Sequence, residues 1–447
     1  MRSFLDNVVA GLARACVRIF FRRVEVEGLE NIPRGGPVLL VANHHNSLVD
    51  PVLILAATKV RARFLAKSTL WDVPGLKQIL QLGAVIPVFR AQDGSDMSQN
   101  QTTFRACHEV LAGGGAIALF PEGISHNAPH LARLKTGAAR IAIGTVADYG
   151  SDALRIVPVG LTFEEKGTFR SRALVRIGTP IDPRPFAADE NEDPFAPVRE
   201  LTEVVEAGLR EVTLNYPSTR EATLIDRAAE VYSTGERDLP GRMAMAEAFS
   251  ARQAFIDAYH RMRALDPARV DALAKRVDAY AHSVGQMKVR EEHLAARFPS
   301  EAVVAQTFGT AWLLFFWLPL ATLGTVISHL PYRLCGVLAR FTKTDDLPST
   351  VKLFGGFFLF PVTWAVWCGL AYSAFGGAAA LALALLAPIS TWFAMLFHER
   401  YERFFDDATA WLRLRFKKEE AGELRQEREA IREDVEALRA LDDRHRS

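Results

Sequence analysis

Residues 37–57 read PVLLVANHHNSLVDPVLILAA, and this stretch decides the fold of the N-terminal half of the chain. The apolar run 37–42 predicts a buried strand, and residues 51–57 have the apolar pattern of a helix. Two histidines and an aspartate lie between them, in residues 43–50. A strand that leads through a short polar loop into a helix is the repeating unit of a layered α/β sheet.

The same alternation of apolar runs and helical patterns continues along the chain. We therefore expect an α/β domain over residues 23–188, with a mixed, mostly parallel sheet flanked by helices. The glycines that follow the helical pattern 104–112 predict the end of a helix rather than a phosphate-binding loop. The further predicted strands are 84–88, 116–120, 156–163 and 173–177.

The overall composition is that of an ordinary globular protein. The chain has 447 residues, 49% hydrophobic and 23% charged, and a net charge of +1. Lys plus Arg (53) nearly cancels Asp plus Glu (52), so no overall cationic field is available and nucleic-acid binding is disfavoured. The four cysteines lie far apart in the sequence and match no metal-ligand spacing, so no metal site is predicted.

The apolar residues are concentrated in two C-terminal stretches that contain no Asp, Glu, Lys or Arg. Residues 302–332 are long enough for one membrane span, and residues 353–397 fit two spans joined at Gly376 and Gly377. The alternative is a set of buried core helices, which the run 311–327 disfavours because it is apolar all round. We predict an integral membrane protein with a membrane segment at 302–332 and a transmembrane hairpin at 353–397.

The basic residues near these stretches make the topology ambiguous. Four of them lie between or next to the two stretches: Arg333, Arg340, Lys343 and Lys352. More follow residue 397, and by the positive-inside rule both places face the cytoplasm. A single crossing by residues 302–332 would then leave everything before it on the outer side. The alternative is a re-entrant segment, broken near Pro319 or Gly324.

Three helical segments lie outside the sheet and the membrane stretches. Residues 1–22 predict an amphipathic helix, apolar on one face and arginine-rich on another, that suits an anionic membrane surface. Packing of this helix on its own domain is the alternative. Residues 189–300 predict a connector of charged helices whose role the sequence leaves open. Residues 398–447 predict a charged helical tail, solvated or self-associating, with a thin apolar stripe of Ile431, Val435, Leu438 and Leu441.

The loop 43–50 places an imidazole and a carboxylate five positions apart at the end of a strand. His45 and Asp50 can meet across one turn, and a carboxylate on one ring nitrogen leaves the other free to take a proton from a hydroxyl. Asp50 alone also fits a helix cap before Pro51. The pair His44 and His45 also fits a metal site or a surface loop.

Two later strand ends carry charged residues as well. The second predicted strand is followed by Arg90, and the third by Glu122 and Gly123, with Lys135 shortly after. Ligands of open α/β sheets bind beside the carboxyl ends of the strands. His, Asp, Arg, Glu and Lys gathered there suit an acceptor with both a hydroxyl and a phosphate, because Arg and Lys bind phosphate oxygens.

Four sequence blocks resemble the glycerolipid acyltransferases, the family that includes lysophosphatidic acid acyltransferase and carries an H-x-x-x-x-D motif. In the order of that family they are NHHNSLVD (43–50), GAVIPVFR (83–90), FPEG (120–123) and VPVGL (157–161). The run FPEGISH is closer to the glycerol-3-phosphate or dihydroxyacetone-phosphate branch. The chain departs from that branch at Asn43 and Ser47, and from the usual third block at Ser125.

The resemblance implies a membrane-bound O-acyltransferase of phospholipid biosynthesis. It would transfer a fatty acyl group from acyl-CoA or acyl-carrier protein to 1-acylglycerol 3-phosphate or glycerol 3-phosphate, and it needs no cofactor. In this interpretation His45 is the general base and Asp50 holds it. Because donor thioesters are cytosolic, the catalytic domain is expected to face the cytoplasm, at the inner membrane if the source is bacterial, with membrane lipids as its partners.

The resemblance also assigns the residues that bind the acceptor. Arg90 and Lys135 would bind the acceptor phosphate, and Glu122 and Gly123 would shape the acceptor pocket. Backbone N–H groups near Gly123 are candidates for stabilising the tetrahedral oxyanion.

Two other functions remain open on the sequence. A coenzyme-independent phospholipid transacylase would use the same histidine and carboxylate. A catalytically idle, lipid-binding membrane protein could keep the same fold.

Overall fold

The computed structural model describes residues 2–72, 76–90, 94, 97–187, 193, 195–342, 344 and 347–446. The polar run 189–193 lies almost wholly outside the described residues, as does Lys343. The described chain folds into two compact units. The first is Met1–Asn215 with Phe341–Leu353, and the second is Tyr216–Arg340 with Phe354–Ser447.

Within the described residues, a seven-stranded sheet forms the centre of the first unit. Its strands are β1 (Arg23–Glu27), β2 (Val38–Ala42), β3 (Ala62–Lys67), β4 (Ile86–Val88), β5 (Ala116–Leu119), β6 (Arg155–Phe163) and β7 (Arg172–Ile177). They lie in the order β1-β7-β6-β2-β5-β3-β4, and neighbours are parallel except β6 and β7. The predicted fold class, a mixed and mostly parallel sheet flanked by helices, is confirmed.

Helices cover the sheet of the first unit. They are α1 (Arg2–Phe20), α2 (Val49–Thr58), α3 (Leu76–Leu82), α4 (Asn100–Ala112), α5 (Gly137–Tyr149), α6 (Arg184–Ala187) and α7 (Ala196–Val212). The helix α7 lies beyond the polar run that was expected to end the domain, and yet Leu201, Val205 and Leu209 are buried in the same core as the strands. The first unit therefore extends past residue 188, because the sheet needs α7 to cover it.

The N-terminal helix α1 packs on the first unit through one face. Ala13, Val17 and Phe20 are buried, whereas Val8 and Leu12 are exposed. The predicted amphipathic helix thus contacts its own domain and still presents apolar side chains outward. Its membrane-surface role stays a prediction.

The second unit is helical. Its helices are α8 (Thr219–Ser233), α9 (Met245–Leu265), α10 (Pro267–Met287), α11 (Glu291–Leu294), α12 (Ser300–Arg340), α13 (Pro348–Phe375, which begins in the first unit), α14 (Gly377–Phe416) and α15 (Lys418–Arg446). The tail helix α15 packs with α8, α9 and α10 into a bundle, and Ile431, Val435 and Leu438 are buried there. The interpretation of the tail as a solvated helix is wrong, because its apolar stripe lies against helices of the same chain.

Among the described residues, three helical segments are long and apolar enough to cross a membrane: Ala305–Arg340, Pro348–Phe375 and Gly377–Phe416. The last two meet at Gly376, where the turn was predicted. The helix α12 continues through Pro319 and Gly324, so the predicted break at these positions is absent. It packs closely on α14, with the Ser328 and Thr391 hydroxyl oxygens 2.6 Å apart.

Candidate active site

Several loops meet at one edge of the sheet in the first unit. The strands β2, β3, β4, β5 and β6 form a parallel set, so their carboxyl ends point to the same edge. The loops that follow β2, β4, β5 and β6 therefore converge there. They contain the catalytic and phosphate-binding residues that the sequence suggested, as well as others that it did not.

Asp50 is the fully buried centre of the loop 43–50. Its Oδ2 accepts hydrogen bonds from His44 Nδ1 (2.9 Å) and from the backbone N–H groups of His45 (2.9 Å) and Asn46 (2.8 Å). The predicted contact between Asp50 and the ring of His45 is therefore wrong. The loop wraps around the carboxylate, so consecutive side chains point in different directions and the ring of His44 reaches it instead.

The chain turns back within this loop at Ser47, whose φ of 47° lies in the left-handed region. Few residues other than glycine adopt this conformation, and such strained positions cluster at functional sites. The backbone N–H of Ser47 donates to Ser125 Oγ at 3.2 Å. The turn is thereby joined to the loop that follows β5.

The ring of His45 lies against the loop after β5. Its Nδ1 is 2.9 Å from the backbone carbonyl oxygen of His126, and because a carbonyl only accepts, His45 Nδ1 carries a proton. Burial lowers the pKa of His45, and the positive charge of Lys166 lowers it further, against opposing contributions from the His126 carbonyl and the carboxylates of Glu122 and Asp50. The net lowering of the pKa favours the neutral form of His45.

Glu122 joins the two histidine-bearing loops. Its buried carboxylate accepts from the backbone N–H of His44 through Oε1 (2.8 Å) and from that of Ala132 through Oε2 (2.7 Å). The same Oε2 is 2.5 Å from His126 Nε2. The backbone N–H of Ala128 donates to His126 Nδ1 (3.1 Å), so the proton of that ring is on Nε2 and points to Glu122. Glu122 thus positions the loops around the site.

Gly123 and Arg90 contact each other at the same edge. Gly123 has a φ of 71°, and its N–H donates to the carbonyl of Phe120 at 3.0 Å. That N–H is already engaged and is not available to an oxyanion, and the use of other backbone N–H groups near Gly123 stays a prediction. Arg90 Nη1 donates to the Gly123 carbonyl at 2.6 Å, which places this guanidinium at the site, whereas Lys135 is exposed.

Lys166 is a site residue that the sequence interpretation missed. It follows β6, is half-buried, and donates from Nζ to Asn127 Oδ1 at 3.2 Å. Burial lowers its pKa, and the carboxylates of Asp50 and Glu122 oppose that shift. The signal was present, because Lys166 lies just beyond the predicted strand 156–163 and the same strand-end criterion pointed to Arg90 and Glu122.

The start of α13 holds both the loop after β2 and the loop after β6. The hydroxyl of the buried Ser349 donates to the carbonyl of Lys166, and Lys352 Nζ donates to that of Gly167 at 2.6 Å. The backbone N–H of Leu48 donates to Thr350 Oγ1 at 3.3 Å. All of these contacts lie within the first unit. In the described part of the chain, no cluster of three or more His, Cys, Asp or Glu side chains could hold a metal ion.

Comparison with known proteins identifies the domain that bears this site. Residues 23–162 match the family model described as Acyltransferase. The match runs from β1 into β6 and includes the loops with His44, Asp50, Arg90 and Glu122. The region of the first unit that bears the site therefore resembles the Acyltransferase family.

Several curated relatives are named as acyltransferases of glycerol 3-phosphate or of 1-acyl-sn-glycerol 3-phosphate. The chain is 32% identical over 143 residues to glycerol-3-phosphate O-acyltransferase 2 of Saccharomyces cerevisiae, which is 32% of this chain and 19% of that protein. It is 26% identical over 141 residues to the chloroplastic 1-acyl-sn-glycerol-3-phosphate acyltransferase LPAT1 of Arabidopsis thaliana, which is 32% of this chain and 36% of that protein. The matches span between 19% and 42% of the length of the first four curated relatives.

A solved structure is also similar. The crystal structure of the 1-acyl-sn-glycerophosphate acyltransferase PlsC from Thermotoga maritima is 25% identical in sequence. The likeness covers 47% of this chain and 80% of that chain, with a TM-score of 0.35.

Proposed function

We propose that this chain is a membrane-bound acyltransferase that transfers a fatty acyl group from acyl-CoA or acyl-carrier protein to a hydroxyl of a glycerol-phosphate acceptor. The observation that carries the proposal is the contact of His44 Nδ1 with the buried carboxylate of Asp50. It lies in the acyltransferase domain, at the sheet edge where ligands of α/β folds bind. The names of the curated relatives support glycerol 3-phosphate or its 1-acyl derivative as the acceptor.

We assign the general base to His44 rather than to His45. A carboxylate only accepts, so neutral His44 keeps its proton on Nδ1 and its Nε2 can take the proton of the acceptor hydroxyl. The charge of Asp50 then stabilises the imidazolium that forms. His45 also donates a hydrogen bond from Nδ1, but to the uncharged backbone carbonyl of His126. A carbonyl stabilises a positively charged ring less than a carboxylate does.

The reaction then proceeds by direct transfer. The hydroxyl proton moves to His44 Nε2 as the hydroxyl oxygen forms a bond to the thioester carbonyl carbon. The carbon–sulfur bond breaks when the tetrahedral intermediate collapses, and the departing sulfur takes the proton from the imidazolium. The products are an ester and a free thiol, and no acyl group is attached to the protein.

The acceptor phosphate needs positive charge beside the base. Arg90 lies at the site through its bond to the Gly123 carbonyl, and a guanidinium suits phosphate oxygens. Lys166 brings a second cation, whereas Lys135, also expected to bind phosphate, is exposed. We propose Arg90 and Lys166 as the principal phosphate contacts, with Lys135 at the rim.

The three apolar helices and the lipid acceptor suggest a reaction at the membrane. We propose that the acyltransferase domain faces the cytoplasm, where acyl thioesters are made. The acyl chains of substrates and products can then stay in one leaflet of the membrane throughout the reaction.

The test is an acceptor panel on membranes that contain the protein. Glycerol 3-phosphate, dihydroxyacetone phosphate and lysophosphatidate are offered in turn with a radiolabelled acyl-CoA. We expect acyl transfer to at least one of them, and we expect His44→Ala to lower kcat by about 10²–10⁴-fold, the contribution of a positioned base. The matched variant His45→Ala is expected to lose less activity.

Other outcomes would support other functions. If His45→Ala loses activity and His44→Ala keeps it, the base is His45. Transfer between phospholipids without acyl-CoA would favour a transacylase. If the wild-type protein is present in the membrane and acylates none of the three acceptors, an idle lipid-binding protein becomes the better account.

A further inference from the structure

The helical bundle of the second unit contains a partly open cavity of about 310 Å³. It lies between α8, α9, α10 and α15, the helices of the connector and the tail, and belongs to neither the catalytic loops nor the membrane helices.

The walls of the cavity are almost wholly apolar. Ala228, Met262, Val270 and Val277 are buried there, and the rings of Phe255 and other residues complete the lining. Among the described residues that line it, Arg439 is the only one with a charged side chain. A space with these walls offers water few hydrogen-bond partners, so it favours an apolar occupant.

The size of the cavity narrows the choice of occupant. An apolar protein cavity of about 150 Å³ stays dry and binds benzene, and this one is about twice as large. It therefore has room for roughly a dozen carbon atoms on that scale. Ligand pockets in proteins begin at about 300 Å³ and combine apolar walls with a few polar groups, which is the composition found here.

The mouth supplies one cation. Arg439 is exposed, its Nη1 donates to the Tyr232 hydroxyl at 2.9 Å, and its guanidinium lies 5.3 Å from the centre of the Tyr232 ring. The aromatic contact orients the guanidinium at the rim. The Tyr232 hydroxyl accepts from Arg439 and so keeps its own proton to donate. An anionic head group at the rim would meet both donors.

We propose that this cavity binds a single free fatty acid, with its alkyl chain between α8, α9, α10 and α15 and its carboxylate at Arg439. A planar carboxylate matches the forked donors of a guanidinium. A chain of about twelve carbons fills the volume, by the comparison above. The bundle is thus a fatty-acid site separate from the acyltransferase domain.

The test uses the full-length protein in phospholipid nanodiscs and a photoreactive dodecanoic acid that carries a diazirine near its methyl end. After irradiation, the labelled peptides are identified by mass spectrometry. We expect label in the lining segments of α8, α9, α10 and α15, and competition by unlabelled dodecanoate. Dodecanol should compete about tenfold less well, the loss expected when one charge-assisted hydrogen bond at a wet rim is removed.

Variants separate the cavity from the head group. Ala258→Trp places a large ring in the cavity and should abolish labelling, while the variant still unfolds at the temperature of the wild type. Arg439→Gln should weaken the apparent affinity for dodecanoate about tenfold and leave that for dodecanol unchanged. Arg432→Gln, on the same helix but not in the lining, is the matched control and should behave as wild type. His44→Ala should label normally, whatever its acyl transfer activity.

Three results would overturn the proposal. Label confined to the membrane helices would mean that the probe only partitions into lipid. Label that persists in a folded Ala258→Trp variant would place the ligand elsewhere. Equal affinities of wild type and Arg439→Gln for dodecanoate would mean that Arg439 does not bind the carboxylate. This variant tests the proposal even if Ala258→Trp does not fold.

Discussion

At the residue scale, Lys166 is the side chain whose role the geometry sharpens most. Its positive charge lowers the pKa of His45, and the carboxylates of Asp50 and Glu122 raise the pKa of Lys166 itself against the effect of burial. We expect Lys166→Met to raise the KM for glycerol 3-phosphate about tenfold or more, because one charged contact to the phosphate is lost. The KM for acyl-CoA should not change. Steady-state kinetics with each substrate varied in turn measures both.

The control for this variant is Lys77→Met. Lys77 is an exposed lysine on α3, and its replacement removes the same charge from the same unit. It should leave both KM values at the wild-type level. A rise in the KM for acyl-CoA alone in Lys166→Met would make Lys166 a donor contact instead.

His45 gives a prediction about pH. Its pKa in the folded chain lies below the ordinary 6.5, so the unfolded chain takes up a proton that the folded chain does not as pH falls through that range. The free energy of unfolding should therefore fall from roughly pH 7.5 to pH 5.5. His45→Gln should lessen this fall, whereas His130→Gln, at an exposed position, should not. Thermal unfolding at a series of pH values provides the comparison, and equal slopes in wild type and His45→Gln would contradict it.

The histidine pair marks the limit of what the sequence could predict at this scale. The loop, its strand end and the partnership of a histidine with Asp50 were all predictable from the pattern in residues 43–50. Which ring meets Asp50 was not, because it depends on the left-handed turn at Ser47 and on Glu122 holding the backbone of His44. Neither feature follows from the spacing of the residues within the motif.

At the element scale, the close packing of α12 and α14 depends on a glycine. A Cβ atom on Gly324 would collide with the backbone at Ser390 and Thr391. We expect Gly324→Ala to destabilise this helix pair by about 1–3 kcal/mol, the usual cost of overpacking, because backbone atoms cannot move aside as a flexible side chain can. Thermal unfolding in detergent reports the loss.

Gly309 is the matched control for that substitution. It lies in the same helix, and nothing lies within 4 Å of where its Cβ would be. Gly309→Ala should keep or slightly raise the stability, since alanine favours a helix more than glycine does. A Gly324→Ala variant as stable as Gly309→Ala would show that the two helices do not approach so closely.

Elements were predictable where the pattern was clean and were missed where charges interrupt it. The fully buried β2 and the long apolar β6 were identified, but β1 reads RVEVE and β3 reads ARFLAK, so neither has an uninterrupted apolar run. The sequence shows the apolar stripe on α15 but not the helices against which it packs. Its partner helices α8, α9 and α10 lie some 150 residues or more away in sequence, and spacing along one helix carries no information about them.

At the scale of the whole molecule, the contacts within each unit constrain the membrane topology. The segment Phe341–Leu353 belongs to the first unit, where Ser349 and Lys352 bond to the loop after β6. No candidate span lies in the described chain between Asn215 and Ala305. We therefore expect the residues on both sides of Ala305–Arg340 to lie on the face of the membrane that bears the first unit, which requires this unbroken helix to lie along the membrane rather than to cross it. A single crossing by this helix would place its two flanking segments on opposite faces of the membrane.

Epitope tags on the segments that flank this helix test whether they share one face of the membrane. An epitope inserted after Thr342 should be accessible to protease from the same side as an epitope at the N-terminus. A C-terminal epitope should be accessible from that side too, because α15 packs with α8, α9 and α10 in one bundle. Sealed vesicles of known orientation, with and without detergent, provide the measurement. Protection of the Thr342 epitope while the N-terminal one is cleaved would mean that Ala305–Arg340 crosses once, and that the bonds from Ser349 and Lys352 to the loop after β6 do not form in the membrane.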